Sequence, residues 1–366
     1  MSIGSFVRDR VVPGRGDPIT VHDPATGAVA FTYADAGAEV VAEAAATALE
    51  GATAWQALGA AERGRRLWVL AQRLRDASER VARIEATNVG KPLADARAEV
   101  GKVAEMFEYY AGWCDKLMGR VVPVPTSHHN HTRKVPYGVI LTITPWNAPL
   151  FVAGWNAAPA LACGNAVILK PSEWTPASAL ELARLALEAG LPEGALQVVA
   201  GLGASTGASA IRHPAVAKVT FIGSPASGRI IAGLCAEAPK PCVLELGGKS
   251  ANVVFADARL DRAVGGAAAA IFAASGQSCV AGSRLLVERA IHDEVVDRLV
   301  ALTERIRIGA PLEADTQIGP LQNAAQLART TALVEGAVRD GCRLATGGHR
   351  PRSEGYFYAP TVVVGA

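Results

Sequence analysis

The hydrophobic pattern divides the chain into stretches of different character. After two short extended segments, around Val21 and from Ala28 to Tyr33, residues 37–117 combine good helix formers with apolar positions every three or four residues, which predicts a largely helical region. Residues 121–139 change style. Val-Val-Pro-Val-Pro, then Arg133, Lys134, Val135 and Pro136, are β-branched and punctuated by proline, which predicts a hairpin leaving the main body. From Gly138 short apolar runs alternate with helical ones. Val139 to Ile143, Ala166 to Leu169, Leu196 to Val199 and Val216 to Ile222 read as strands; Ala177 to Ala189 reads as a helix with Glu181, Arg184 and Glu188 on one polar stripe. Strand, helix, strand, repeated, predicts a parallel sheet covered by helices. A second block follows, with strands at Val243 to Leu246, Asn252 to Phe255 and Leu285 to Val287 and helices near 259–274, 292–306 and 322–338. Gly247-Gly248 is the natural seam between the blocks.

Composition narrows the class. A chain of 366 residues has room for two to three domains at roughly 150 residues each. Half the residues are hydrophobic and 19% charged, which describes a soluble globular protein and not a disordered one. Lys+Arg (36) nearly balance Asp+Glu (34), and neither sign gathers into a block, so no nucleic-acid face and no polybasic membrane arm is expected. Residues 135–169 carry no formal charge, but Pro145, Pro149, Pro159, Asn147, Asn156 and Asn165 interrupt any membrane-spanning helix there. The Ala- and Gly-rich run between Arg262 and Arg284 suits a helix packed closely inside a protein. Six scattered cysteines form neither a disulfide framework nor a metal site, and the N-terminus has no apolar core with a cleavage site. The expectation is a cytoplasmic protein with reduced thiols and no metal.

In open α/β sheets ligands gather at the carboxyl ends of the strands. Four segments lie there. Thr144-Pro145-Trp146-Asn147 places a side-chain amide between two prolines, as a ligand donor or as a local turn cap. Lys170-Pro171-Ser172-Glu173 could hold ribose hydroxyls or a phosphate, or form a surface ion pair. Gly223-Ser224-Pro225 opens a helix whose free amides suit a pyrophosphate. Leu244 to Lys249 and Gly276 to Gly282 supply a carboxylate, Glu245, and a cysteine, Cys279, among small residues: a base and a nucleophile, or an inert core thiol. Gly201-Leu202-Gly203 followed by Gly207 has the wrong last spacing for a dinucleotide fingerprint and is set aside.

Taken together and in order, PWN (145–147), KPSE (170–173), F-x-G-S (221–224), LELGGK (244–249) and GQxC (276–279) resemble the NAD(P)-dependent aldehyde dehydrogenase superfamily, hydrolytic type. Tyr109 to Trp113 and Ile318-Gly319-Pro320 add to the similarity, which runs from about residue 20 to the last. The resemblance implies an α/β fold: a Rossmann-type parallel-sheet cofactor domain (1–120 and 140–246), an oligomerisation hairpin (121–139) and an α/β catalytic domain (247–366), incomplete at its C-terminal side. It implies Cys279 as nucleophile toward an aldehyde, Asn147 with the Cys279 amide as oxyanion donors, and Glu245 as the base activating water against a thioester.

The implied cofactor is NAD, with NADP disfavoured because Glu173 would repel a 2′-phosphate. Lys170 and Glu173 would hold the adenosine ribose, Ser224 and Trp146 the pyrophosphate, and Gln326 the nicotinamide ribose, with Thr144, Gly223 and Leu246 also against the cofactor. Trp155, Ala148, Val152, Ser278 and Val280 would line the substrate tunnel. Ala148 stands where many members have an aromatic, so a roomier pocket is expected; Pro225-Ala226 replaces a common Thr-Glu; and the family's E-x-F-G-P segment is not in the chain, which reads as truncated. Full-length relatives of this type are expected to be homodimers or homotetramers. Two alternatives stand beside hydrolytic oxidation: a CoA-acylating semialdehyde dehydrogenase, and a non-catalytic NAD-binding relative.

Overall fold

A computed structural model of the chain describes residues 3–125 and 127–365. Short strands come first: β1 (Ser5–Val7), β2 (Arg10–Val12), β3 (Pro18–His22) and β4 (Val29–Ala34). The helical region resolves into α1 (Gly37–Ala57), α2 (Gly59–Asp76), α3 (Ser78–Val89) and α4 (Leu93–Ala111). The excursion is an antiparallel hairpin of β5 (Val121–Val122) and β6 (Asn130–His131), with Val121 opposite His131; Thr126 lies outside the described residues. Alternation follows as β7 (Val139–Ile143), α5 (Pro149–Ala162), β8 (Ala166–Lys170), α6 (Ala177–Glu188), β9 (Leu196–Val198), α7 (Ala208–Arg212), β10 (Val216–Gly223), α8 (Pro225–Glu237) and β11 (Cys242–Leu246). The chain continues through β12 (Ala251–Val254), α9 (Leu260–Phe272), β13 (Arg284–Val287), α10 (His292–Thr303), α11 (Ala324–Arg339), β14 (Arg343–Thr346) and β15 (Val362–Val364).

Two compact units result. The first is Met1–Ile19, Thr32–Val81 and Arg97–Glu245; the second is Thr20–Phe31, Ala82–Ala96 and Leu246–Ala366. The first holds a seven-stranded sheet in the order β11-β10-β7-β8-β9-β1-β2. Strands β10, β7, β8 and β9 run parallel, and β1 pairs antiparallel with both β9 and β2. Every residue of β7 and β8 is buried, because VILTI and AVILK are almost continuously apolar and covered on both faces. One face, carrying Val139, Leu141, Ile143, Ala166 and Ile168, packs against Val40, Val41, Ala44 and Ala48 of α1 together with residues of α7 and α8. Helices α5 and α6 pack on the sheet as well, against β8 and β9. Helices thus cover a parallel sheet, the architecture expected from the alternating pattern.

Within this unit Trp55 is completely buried and its indole N–H donates to the Leu161 carbonyl at 2.8 Å. Trp55→Ala should cost about 3–5 kcal/mol, the range for emptying a large core site, and urea unfolding checks it. The polar stripe expected on α6 is solvated only in part, with Glu188 exposed and Arg184 half-buried. Glu181, by contrast, is fully buried and is met by the guanidinium groups of Arg80, which comes from α3, and Arg184 of its own helix.

The second unit has parallel β12 and β13, with Ala251 opposite Arg284 and α9 in the connection. Val264 and Ala268 of α9, Val295 and Leu299 of α10, and the partly buried Leu285 and Val287 make its core. Strands β14 and β15 pair antiparallel, and Leu321, Leu327 and Tyr358 form a further apolar cluster. Residues 20–31 and 82–96 fold here by backbone pairing: Tyr356 N–H donates to Pro24 and Leu93 N–H to Pro311. Among the described residues no helix is long and apolar enough to cross a membrane.

Candidate active site

In the first unit, three neighbouring parallel strands end at one edge of the sheet: β10, β7 and β8. Thr144, Trp146 and Asn147 follow β7, Lys170 closes β8, and Gly223 with Ser224 follows from β10. The Thr144 N–H donates to the Lys170 carbonyl at 3.1 Å, tying two of these ends together. Thr144 is buried, and its hydroxyl has no hydrogen-bond partner. Asn147 and Trp146 are half-buried, and Ala148 then caps α5 with Pro149 in its first turn, where a missing N–H costs nothing.

Lys170 does not form a surface ion pair, since only 2% of it is exposed. Its ammonium lies 3.8 Å from a Glu173 carboxylate oxygen. Burial pulls the Lys170 pKa down, opposed by the charges of Glu173 and Asp35. The Tyr33 hydroxyl donates to the Glu173 carbonyl at 2.9 Å and fixes the turn that carries this carboxylate. Burial, with Glu173 and Asp35 nearby, pushes Tyr33 upward, so it stays a donor.

Ser224 is the N-cap of α8: its hydroxyl accepts from Ser227 N–H at 3.1 Å, and Pro225 occupies the first turn. Pro225-Ala226 therefore opens the helix normally. Gly223 is tightly packed, because an added Cβ would sit 2.5 Å from the Phe221 ring. Trp155 is 57% exposed and meets Phe151 edge-on at 5.7 Å on the same helix, while Val152 is buried. Glu245 is exposed on β11, the strand beside β10.

In the second unit, Cys279 is exposed. The approach to it is unusual: Ala274 (φ 51°), Ser275 (φ 56°) and Gly276 (φ 74°) are three successive left-handed residues. For Ala and Ser this conformation costs roughly 1–3 kcal/mol each and needs support from its surroundings. The Ser275 hydroxyl donates to Gly319 O at 2.9 Å, and the Gln277 amide donates to Ala274 O at 3.1 Å while accepting from Gln322 N–H at 3.0 Å. Gln277 is thus a clamp on the turn that presents Ser278, Cys279 and Val280. Gly248 of the LELGGK segment lies against this turn, since a Cβ there would be 3.7 Å from the Cys279 carbonyl. Leu246 and Gln326 belong to the same unit, Gln326 in the first turn of α11, where its N–H donates to the Asn323 cap.

Sequence reasoning missed two supports. In the sequence Gln277 is only one letter of a motif, and nothing in the pattern foretells a left-handed run built on Ala and Ser. Asp35 is the second, and an acidic residue just before a long helix is the one signal that marks it.

Residues 11–366 match the family model described as the aldehyde dehydrogenase family. A phenylacetaldehyde dehydrogenase of Pseudomonas fluorescens is 42% identical over 355 residues, spanning 94% of this chain and 70% of that protein. Among solved structures, PnpE of a Pseudomonas species, in complex with nicotinamide adenine dinucleotide, superposes with a TM-score of 0.97 at 40% identity, covering 99% of this chain and 76% of the other. An NAD+ complex of a Bacillus cereus aldehyde dehydrogenase gives 0.96 at 36% identity, covering 99% and 75%. The chain belongs to the aldehyde dehydrogenase family, and its fold is that of these enzymes. It spans about three quarters of the length of the solved relatives.

Proposed function

We propose that the chain oxidises an aldehyde to the carboxylic acid with NAD through a covalent adduct on Cys279. The observation that carries this reading is the exposed Cys279, presented on a clamped left-handed turn with Gly248 of LELGGK against its carbonyl. The Cys279 thiolate attacks the carbonyl carbon, the aldehyde oxygen taking the negative charge as a thiohemiacetal. Asn147 and the Cys279 N–H donate to that oxyanion. Loss of hydride from that carbon, for which bound NAD would supply the acceptor, leaves a thioester, and Glu245 takes a proton from the water that cleaves it and releases the acid with the Cys279 thiol. A carboxylate at Glu245 favours hydrolysis over transfer to coenzyme A.

The residues of the first unit fit a dinucleotide. A buried lysine beside a carboxylate, an unsatisfied buried Thr144 hydroxyl and a capped helix N-terminus at Ser224 all stand at the carboxyl edge of a parallel sheet. When bound, NAD supplies the hydride acceptor. Lys170 and Glu173 would hold the adenosine ribose, Ser224, Gly223, Trp146 and Thr144 the pyrophosphate region, and Leu246 and Gln326 the nicotinamide side. Trp155, Val152, Ala148, Ser278 and Val280 are the substrate-facing set; small Ala148, seven residues before the aromatic Trp155, supports a preference for bulky or aromatic aldehydes. The similarity to a phenylacetaldehyde dehydrogenase supports the same preference. The 121–139 hairpin is assigned to subunit pairing in a homodimer or homotetramer, and six free cysteines suit a reducing, cytoplasmic setting.

The test is NADH absorbance at fixed enzyme with a panel of aldehydes, repeated with NADP. The expected result is turnover with NAD, at least about tenfold slower with NADP at equal concentration, and kcat/KM higher for phenylacetaldehyde than for acetaldehyde. Clear preference for short aliphatic aldehydes would overturn the pocket assignment, and NADP use at equal rate would overturn the role given to Glu173.

A further inference from the structure

The Gly201 to Gly207 segment, set aside as a failed fingerprint, is organised by one buried side chain. It follows β9 in the parallel sheet of the first unit and makes a single wide turn, Gly203–Gly207, that runs into α7. Asp35 is only 4% exposed. One of its carboxylate oxygens accepts from Leu202 N–H at 2.6 Å and from the Thr206 hydroxyl at 2.7 Å; the other accepts from the Ser205 hydroxyl at 2.6 Å. Gly201 must be glycine for this approach, because a Cβ would fall 2.1 Å from the carboxylate.

The Asp35 backbone is equally fixed, its N–H donating to Asp17 O at 2.9 Å and its carbonyl accepting from Gly16 N–H at 2.8 Å. Thr206 completes the arrangement. Its hydroxyl accepts from Gly37 N–H at 3.0 Å, in the first turn of α1, a helix with no N-terminal side-chain cap from its own flanking residue. Three donors and the positive end of a 21-residue helix compensate the buried charge of Asp35.

The far end of the same turn meets Lys170. An added Cβ on Gly207 would lie 4.0 Å from the Lys170 Cδ and Cε atoms, so the turn forms a wall along the lysine stem. We infer that Asp35 is a positioning residue for the adenosine end of the cofactor site, holding residues 201–207 so that the Lys170 stem is walled and its ammonium stays at the end of β8. Asp35 does not itself touch the cofactor. This inference rests on the NAD reading above.

Calorimetric titration of the 366-residue chain with NAD, and separately with AMP as a probe of the adenosine end alone, tests it. Asp35→Asn should weaken both ligands by about tenfold and Ser205→Ala by about threefold, the scale of lost buried hydrogen bonds. Amide hydrogen exchange at 204–207 should accelerate in both variants, while kcat at saturating NAD and the aldehyde KM stay within about twofold. NAD and AMP affinities unchanged in folded Asp35→Asn would overturn the inference; should that variant not fold, unchanged affinities in Ser205→Ala overturn it. Weakened NAD with unchanged AMP would overturn the assignment to the adenosine end. A wild-type chain that binds no NAD would instead overturn the cofactor reading on which the inference stands.

Discussion

Cys279→Ala should abolish aldehyde-dependent NADH formation, by at least about ten-thousand-fold in kcat, the scale on which removal of a covalent nucleophile acts. The fold should be indifferent, because Cys279 is exposed; surface changes of this kind stay within about 0.5 kcal/mol. NAD affinity, read by calorimetry, should also be retained, since the proposed adenosine-holding groups, Lys170 and Glu173, lie in the other unit. The variant thus separates chemistry from binding. Turnover persisting within tenfold of wild type would remove the covalent route altogether and point to another thiol or to direct attack by water.

Glu245→Gln should leave the first chemical event intact and stall the second. Rapid mixing with NAD and a good aldehyde should show a burst of NADH approaching one per Cys279, followed by a steady rate lowered about 10²–10⁴-fold, the usual contribution of a positioned general base. Glutamine keeps the size and hydrogen-bonding shape of the side chain on β11, so the burst reports the base and not a local collapse. An added nucleophile such as hydroxylamine should restore steady turnover by cleaving the accumulated thioester without needing the base. A wild-type steady rate in Glu245→Gln would assign proton removal elsewhere, and loss of the burst itself would place Glu245 before acyl transfer.

The parts of the fold legible in the sequence are those where a local pattern and the tertiary environment agree. VILTI and AVILK can satisfy their apolar content only between two helical layers, and the structure buries all ten positions. The turn residues at their ends were legible for the same reason, since an apolar run that stops must be followed by whatever the sheet edge presents. Strands β1 and β2 were not foreseen; they are three residues each, separated by Arg8 and Asp9, too short for any period to show. The environment of Glu181 was hidden because its partner Arg80 lies about a hundred residues earlier, and a polar stripe on a helix looks alike whether water or guanidinium groups cover it. Asp35 was hidden more deeply, since its three donors lie 167 to 171 residues away. The residue types of the candidate site were readable, whereas its supports, Gln277 and Asp35, depend on long-range hydrogen bonds that no spacing encodes.

The threading of the second unit bears on how this chain is made. Residues 20–31 and 82–96 leave the ribosome early, yet their backbone partners at Pro311 and Tyr356 are translated more than 200 residues later. At about 5–20 residues per second, that interval lasts roughly 10–70 s. Throughout it Leu93, buried in the finished protein, lacks its backbone partner at Pro311. Nascent chains of this protein therefore present a holdase target within the first hundred residues, one that persists until residues 311–356 have been made.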